Sequence, residues 1–202
     1  IIADGSLAQH ERQINPRTIS LPALPMTKIN TLPKSVNERV IKVSFQGQIS
    51  HRCRKKLLEI NNPKEIIINL INKSNHSGKI NAISGVEDPN YINLLDNSRF
   101  GIVARGHCLF SYRLLETMSR GTIPIIISDG WVLPFDRTID WDTCSLRFHE
   151  EAIDDIPFVI NKIEEQRMLN LQKQVIINYN KFFKSIDLVM KTMLNEALTI
   201  NT

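Results

Sequence analysis

The stretch from Arg105 to Arg120 concentrates residue types able to hold a phosphorylated ligand. Arg105-Gly106 leads through His107-Cys108-Leu109-Phe110 to Ser111, whose hydroxyl can cap a helix that begins at Tyr112. A helix start presents unpaired backbone N–H groups and the positive end of the helix dipole, and both attract phosphate. Arg105 and Arg113 can each add charge-assisted hydrogen bonds to a diphosphate. Arg113, Glu116 and Arg120 are spaced three and four apart and share one helix face, while Leu114, Leu115 and Met118 fall elsewhere and suit a core. A carboxylate one turn past such a helix start can accept hydrogen bonds from both hydroxyls of a ribose, which makes Glu116 the candidate for that contact. Spacing alone favours a plainer arrangement. In it Ser111 only caps, Arg105 satisfies loop carbonyls, and Arg113 with Glu116 is a surface ion pair worth about 0.2–0.5 kcal/mol.

Short apolar runs alternating with helical patterns provide the frame for these residues. Strands are expected over Val40 to Phe45, Glu65 to Asn69, Phe100 to Ala104 and Thr122 to Ser128, with Cys144, Leu146 and Phe148 alternating in a last one. Helices are expected around Leu57, Leu58 and Ile60, from Tyr91 to Leu95, from Ser111 to Arg120, and through most of Asp155 to Leu198. Gly121 is placed to end its helix in a left-handed cap, and Pro124 argues for a strand start or a sheet edge. The pattern implies an α/β fold, a Rossmann-like parallel sheet with helices on both faces. Such sheets bind ligands beyond the carboxyl ends of their strands. That rule selects the loops at Gln46-Gly47, Arg105-Gly106 and Asp129-Gly130-Trp131, although Asp129-Gly130 also reads as a plain turn and Trp131 as a core anchor. Pro16, Pro22, Pro25 and Pro33 mark Asn15 to Lys34 as an extended connector. The expected division is 1–37 as a remnant of a first domain and crossover linker, 38–180 as the Rossmann-like domain, and 181–202 as a C-terminal helix.

Composition narrows the function classes. A net charge of +4, from 25 basic and 21 acidic residues spread along the chain, argues against a nucleic-acid partner. No apolar run is long enough to span a membrane, and the start at Ile1-Ile2-Ala3, without Met, is expected of a truncated chain. Cys53, Cys108 and Cys144 are read as buried free thiols, and His10, His51, His76, His107 and His149 show no paired ligand spacing, so no metal is expected. Asn72-Lys73-Ser74 and Asn75-His76-Ser77 fit the N-glycosylation pattern. A dinucleotide-dependent oxidoreductase is disfavoured, because no G-x-G-x-x-G follows the first long strand and Asn69, not an acid, closes the second.

Ser98-Arg99-Phe100 through Ala104-Arg105-Gly106, then Ser111-Tyr112-Arg113-Leu114-Leu115-Glu116, resembles the exostosin family of glycosyltransferases. The run Gly121-Thr122-Ile123-Pro124-Ile125-Ile126-Ile127-Ser128-Asp129-Gly130-Trp131-Val132-Leu133-Pro134-Phe135, followed by Ile139-Asp140-Trp141, resembles that family's most characteristic stretch. Departures stand at Ala104, where the family usually has Pro, and at His107 to Phe110, where it has small polar residues. The resemblance implies the second domain of a GT-B glycosyltransferase, which grips the nucleotide of a UDP-sugar while its sugar passes to an acceptor hydroxyl with inversion. It implies nucleotide-sugar contacts at Gln46, Gly47, Arg105, Ser111, Tyr112, Arg113, Glu116, Asp129, Gly130 and Trp131. The general base is expected in the missing N-terminal domain, so no catalytic residue is assigned. The implied partners are the UDP-sugar as co-substrate, with no other cofactor, and a glycan or glycoprotein acceptor. A eukaryotic relative is expected on the lumenal side of the Golgi with a membrane anchor outside this chain, a bacterial or viral one in the cytoplasm. The competing expectation is a non-catalytic nucleotide-sugar-binding partner or scaffold of an active transferase.

Overall fold

The computed structural model describes residues 2–24, 33–71 and 88–200. β1 (Ile2–Asp4), α1 (Gln9–Ile14) and β2 (Thr18–Ser20) form a small unit whose two strands pair in parallel. The main layer then alternates β3 (Ile41–Gln48), α2 (Arg52–Lys56), β4 (Ile66–Ile71), α3 (Pro89–Asp96), β5 (Ser98–Ala104), α4 (Arg113–Ser119), β6 (Ile123–Ile127) and β7 (Leu146–Arg147). α5 (Ile156–Asn161), α6 (Glu165–Asn178) and α7 (Ile186–Ile200) follow. The five later strands lie in the order β4-β3-β5-β6-β7, every pair parallel, as the strand-helix alternation implies.

The near-continuous apolar strands are explained by burial on both faces. Phe100, Ile102, Ile123, Ile125 and Ile127 join Leu57, Ile60, Ile156 and Ile160 in one cluster. Val103 and Ile126 point the other way, into a cluster with Leu114, Leu115, Met118, Trp141 and Phe183. Gly101 lets α4 close onto β5, since a Cβ there would sit 2.7 Å from Thr117 Cγ2.

Gly121 ends α4 at φ 62°, and its N–H donates to the Met118 carbonyl at 2.9 Å. A Cβ at this position would lie 2.6 Å from Pro33 Cβ. Gly121→Ala is therefore expected to lower unfolding stability by at least about 1–2 kcal/mol, the cost of a left-handed non-glycine residue. Urea denaturation checks it, and a loss below about 0.5 kcal/mol would contradict this reading of the cap.

Several elements differ from expectation for identifiable reasons. The helix expected around Leu57, Leu58 and Ile60 is a short α2 followed by a 3-10 turn, with Leu58 exposed. Pro124 does sit near the start of β6, as expected, although the strand is interior, because β7 joins only at Ile125 and Ile126, past the proline. β7 itself keeps only two residues of its expected run. The long C-terminal helical pattern breaks after Asn161 and again at a π-helical turn, Tyr179–Phe183. The proline-rich connector contains β2, and residues 2–24 are not loosely tethered. Gln9 N–H donates to the Gly130 carbonyl at 2.8 Å, Val132 N–H to Leu7 at 2.9 Å and Phe135 N–H to Ser20 at 3.0 Å. Pro25, His76 and both glycosylation triplets lie outside the described residues. Among the described residues no helix is long and apolar enough to cross a membrane.

Candidate functional site

Because β3, β5 and β6 are adjacent and parallel, their carboxyl ends share one edge of the sheet. Gln46 and Gly47 are not in a loop there. They pair with Asn69 and Leu70, since β4 runs on to Ile71 and keeps β3 extended through Gln48. Gln46 nonetheless contributes its carbonyl to the edge, accepting from Arg113 Nε at 2.8 Å, while its side-chain amide donates to Asp88 at 3.1 Å.

Arg113 is the most tightly organised cation at this edge. Besides the Gln46 carbonyl, its guanidinium donates to Glu116 Oε2 and lies 4.6 Å from the centre of the Tyr91 ring. Tyr91 donates its hydroxyl to the same Glu116 oxygen at 2.9 Å. Burial pushes the Tyr91 phenol far above its usual range, so it remains a donor. Burial also works against the Arg113 charge, but Tyr91 and Glu116 outweigh it and the net shift is upward. Glu116 is only 3% exposed. The pair is thus a buried network spanning α3 and α4, not the surface ion pair that spacing alone allowed, because α3 packs over that helix face. Arg120, on the same face, forks onto Asp96 of α3. α4 starts at Arg113, one residue later than expected, and Ser111 Oγ accepts the Arg113 N–H at a long 3.4 Å. Tyr112 is half exposed and meets Phe110 edge-on at 5.5 Å.

Arg105 leaves β5 with its N–H on the Ile127 carbonyl at 3.0 Å and its Nη1 3.5 Å from Glu150 Oε1. Its own carbonyl accepts from Arg54 Nε at 2.8 Å. Arg54 also reaches the Ala104 carbonyl at 2.9 Å and Gln48 at 3.1 Å, so one side chain pins the ends of β3 and β5 together. Burial, then the nearby Arg113, lowers the Arg54 pKa. Asp129 and Glu150 clasp each other, Asp129 N–H to Glu150 Oε1 at 3.1 Å and Glu150 N–H to Asp129 Oδ1 at 3.2 Å. Gly130 turns the chain at φ 75° with open space around it. Trp131 is a core anchor, 5% exposed, with its indole N–H on the Gly5 carbonyl at 3.2 Å. Cys53 and Cys144 are buried, and burial pushes each thiol up to about 11. Cys108 is exposed, against expectation, because it lies in the loop between β5 and α4.

Tyr91, Arg54 and Glu150 were not legible as site residues. Tyr91 reads as one apolar position in a helix, Arg54 as one cation in a basic run, and Glu150 as half of an acidic pair. Only the side-chain contacts from α3 to α4 and the meeting of three loops bring them in.

A family model described as the exostosin GT47 domain matches residues 1–163. This chain belongs to the exostosin GT47 family. The exostosin-1 homolog of Caenorhabditis elegans is 30% identical over 165 residues, 76% of this chain and 43% of that protein. Exostosin-1 of Drosophila melanogaster is 35% identical over 102 residues, covering 50% of this chain and 13% of that protein. This exostosin chain thus spans less than half the length of the curated relatives it matches here. Among solved structures, S. aureus TarM, crystallised with fondaparinux, alpha-GlcNAc-glycerol and UDP, superposes with a TM-score of 0.56 at 13% identity, over 95% of this chain and 43% of TarM. That likeness establishes a GT-B-type fold for the exostosin chain.

Proposed function

We propose that this chain holds the UDP-sugar donor of an inverting glycosyltransferase. The observation that carries the proposal is Arg113, preorganised at the carboxyl edge of the sheet by Gln46, Glu116 and Tyr91. Arg54, Arg105 and Arg113 gather at that edge against the carboxylates of Glu116 and Glu150, and an anion relieves the excess positive charge. Arg105 and Arg113 contact the diphosphate, and Glu116 serves the ribose through the oxygen not taken by Tyr91. Ser111, Tyr112, Asp129 and Gly130 supply further contacts to the donor from the adjoining loops, and Gln46 and Gly47 from the end of β3. Trp131 anchors the turn at Gly130 from the core. The arginines stabilise the diphosphate as it departs with increasing charge, electrostatically and without protein-bound metal at the phosphates. The acceptor is a glycan or glycoprotein hydroxyl, and its proton is taken by a base on a partner domain, as direct displacement with inversion requires. In a eukaryote the reading places the chain on the lumenal side of the Golgi, with the membrane anchor elsewhere in the protein, and in a bacterium or virus in the cytoplasm.

Thermal-shift titration with UDP, GDP, ADP and inorganic diphosphate tests it. UDP is expected to raise the Tm more than the other three at equal concentration. An equal shift with inorganic diphosphate would reduce the site to anion capture, and no shift with UDP would refute it.

A further inference from the structure

A second constellation lies beneath Arg105. His51 precedes α2, Cys53 lies within it, and Glu150 comes from the segment after β7. Their ligand atoms lie within 4.8 Å of one another. His51 Nδ1 is 3.1 Å from Cys53 Sγ and 3.7 Å from Glu150 Oε2. Metal–nitrogen, –oxygen and –sulfur bonds of about 2.0–2.3 Å in a tetrahedral site place such donors roughly 3.3–3.6 Å apart. The trio therefore closes on a small cation with shifts of a few tenths of an ångström to about one ångström.

From this geometry we infer that His51, Cys53 and Glu150 form a three-ligand site for a thiophilic divalent cation of the zinc class. The donor set of imidazole, thiolate and carboxylate suits zinc and disfavours magnesium or calcium, which take oxygen ligands. Glu150 is already oriented for the task. Its Oε1 is held by the Asp129 N–H at 3.1 Å and faces Arg105 at 3.5 Å, leaving Oε2 turned toward His51. Two contacts must yield, both at the long limit: the Cys53 N–H to His51 Nδ1 bond at 3.4 Å and the Cys53 thiol to Arg105 carbonyl bond at 3.9 Å. Cys53 and Glu150 also line a surface cavity of about 450 Å³, so two of the three ligand residues border solvent-accessible space. On binding, the Cys53 thiol proton passes to solvent and the thiolate bonds the metal, with no redox change. The ion then ties the β3–α2 connection to the segment carrying Glu150, directly behind Arg105. Spacing hid the site because His51 and Cys53 stand together while Glu150 is supplied from far along the chain.

Titration of the metal-free protein with cobalt(II), then zinc, is the test. One equivalent of cobalt is expected to give a thiolate-to-cobalt charge-transfer band in the near ultraviolet, displaced by zinc. Cys53→Ser should abolish the band, and Glu150→Gln should weaken zinc binding at least about tenfold, each with an unchanged far-ultraviolet circular dichroism spectrum. Absence of the band in the wild-type protein would overturn the site without recourse to variants. A band that survives Cys53→Ser but vanishes in Cys108→Ser would overturn it as well, by placing the metal on the exposed loop thiol.

Discussion

Arg113→Ala is expected to lower unfolding stability by about 3 kcal/mol, the usual cost of stripping one partner from a buried ion pair. The reason lies in Glu116, which is 3% exposed and, among the described residues, would keep only the Tyr91 hydroxyl at 2.9 Å. Arg113→Lys separates structure from ligand recognition. A lysine retains the charge, but it cannot at once donate to the Gln46 carbonyl, meet Glu116 and lie flat on the Tyr91 ring. If Arg113 also grips a diphosphate, the lysine variant loses at least about tenfold in UDP affinity, or 1.4 kcal/mol. Wild-type affinity in a folded Arg113→Lys protein would restrict Arg113 to holding Glu116. Guanidinium denaturation and calorimetry read the two effects separately.

The second large effect belongs to Arg39, which is 1% exposed and has no carboxylate in hydrogen-bond contact among the described residues. Its guanidinium donates to the carbonyls of Lys34, Leu95, Ser98 and Arg120 and to Thr122 Oγ1. One side chain thereby joins the lead-in to β3 with the end of α3, the start of β5 and the turn from α4 into β6. Burial pushes its pKa down to about 10, so it remains charged at neutral pH. Arg39→Leu fills similar space but deprives the Ser98 and Arg120 carbonyls of this donor, at about 1–3 kcal/mol each. Leu95 keeps the Thr122 hydroxyl at 2.8 Å and Lys34 keeps the Gln172 amide at 3.0 Å, so the expected total is about 4 kcal/mol. A urea midpoint within error of wild type would contradict this account of how the strand amino ends are held.

How far the sequence carried is clear from these same residues. Alternation of apolar strands and helical spacing gave the parallel sheet, since burial on both faces leaves its mark in residue type. Gly121 was legible as a helix stop because the left-handed cap constrains one residue locally. Arg113 and Glu116 were legible as neighbours because they lie within one helix turn, and Arg105 as a strand-end residue because it directly follows β5. What pairing alone could not reveal was that Tyr91 of α3 completes the Arg113–Glu116 network, because that depends on which side chains of two separate helices meet in the fold. The extension of β3 through Gln46 and Gly47 was hidden for a similar reason: it is set by register with β4. Arg54 and Glu150 escaped notice because each acts on loops far from it in sequence, and Arg39 because nothing local distinguishes a buried cation from a surface one.

The most direct test of the donor site is calorimetric titration of UDP into the wild-type chain and into Arg105→Ala and Glu116→Ala, each first shown to be folded by circular dichroism. One-to-one binding by the wild type and at least about tenfold weaker binding by both variants is the predicted result. No binding by the wild type, or unchanged affinity in both variants, would contradict the assignment of this edge of the sheet to a UDP-sugar.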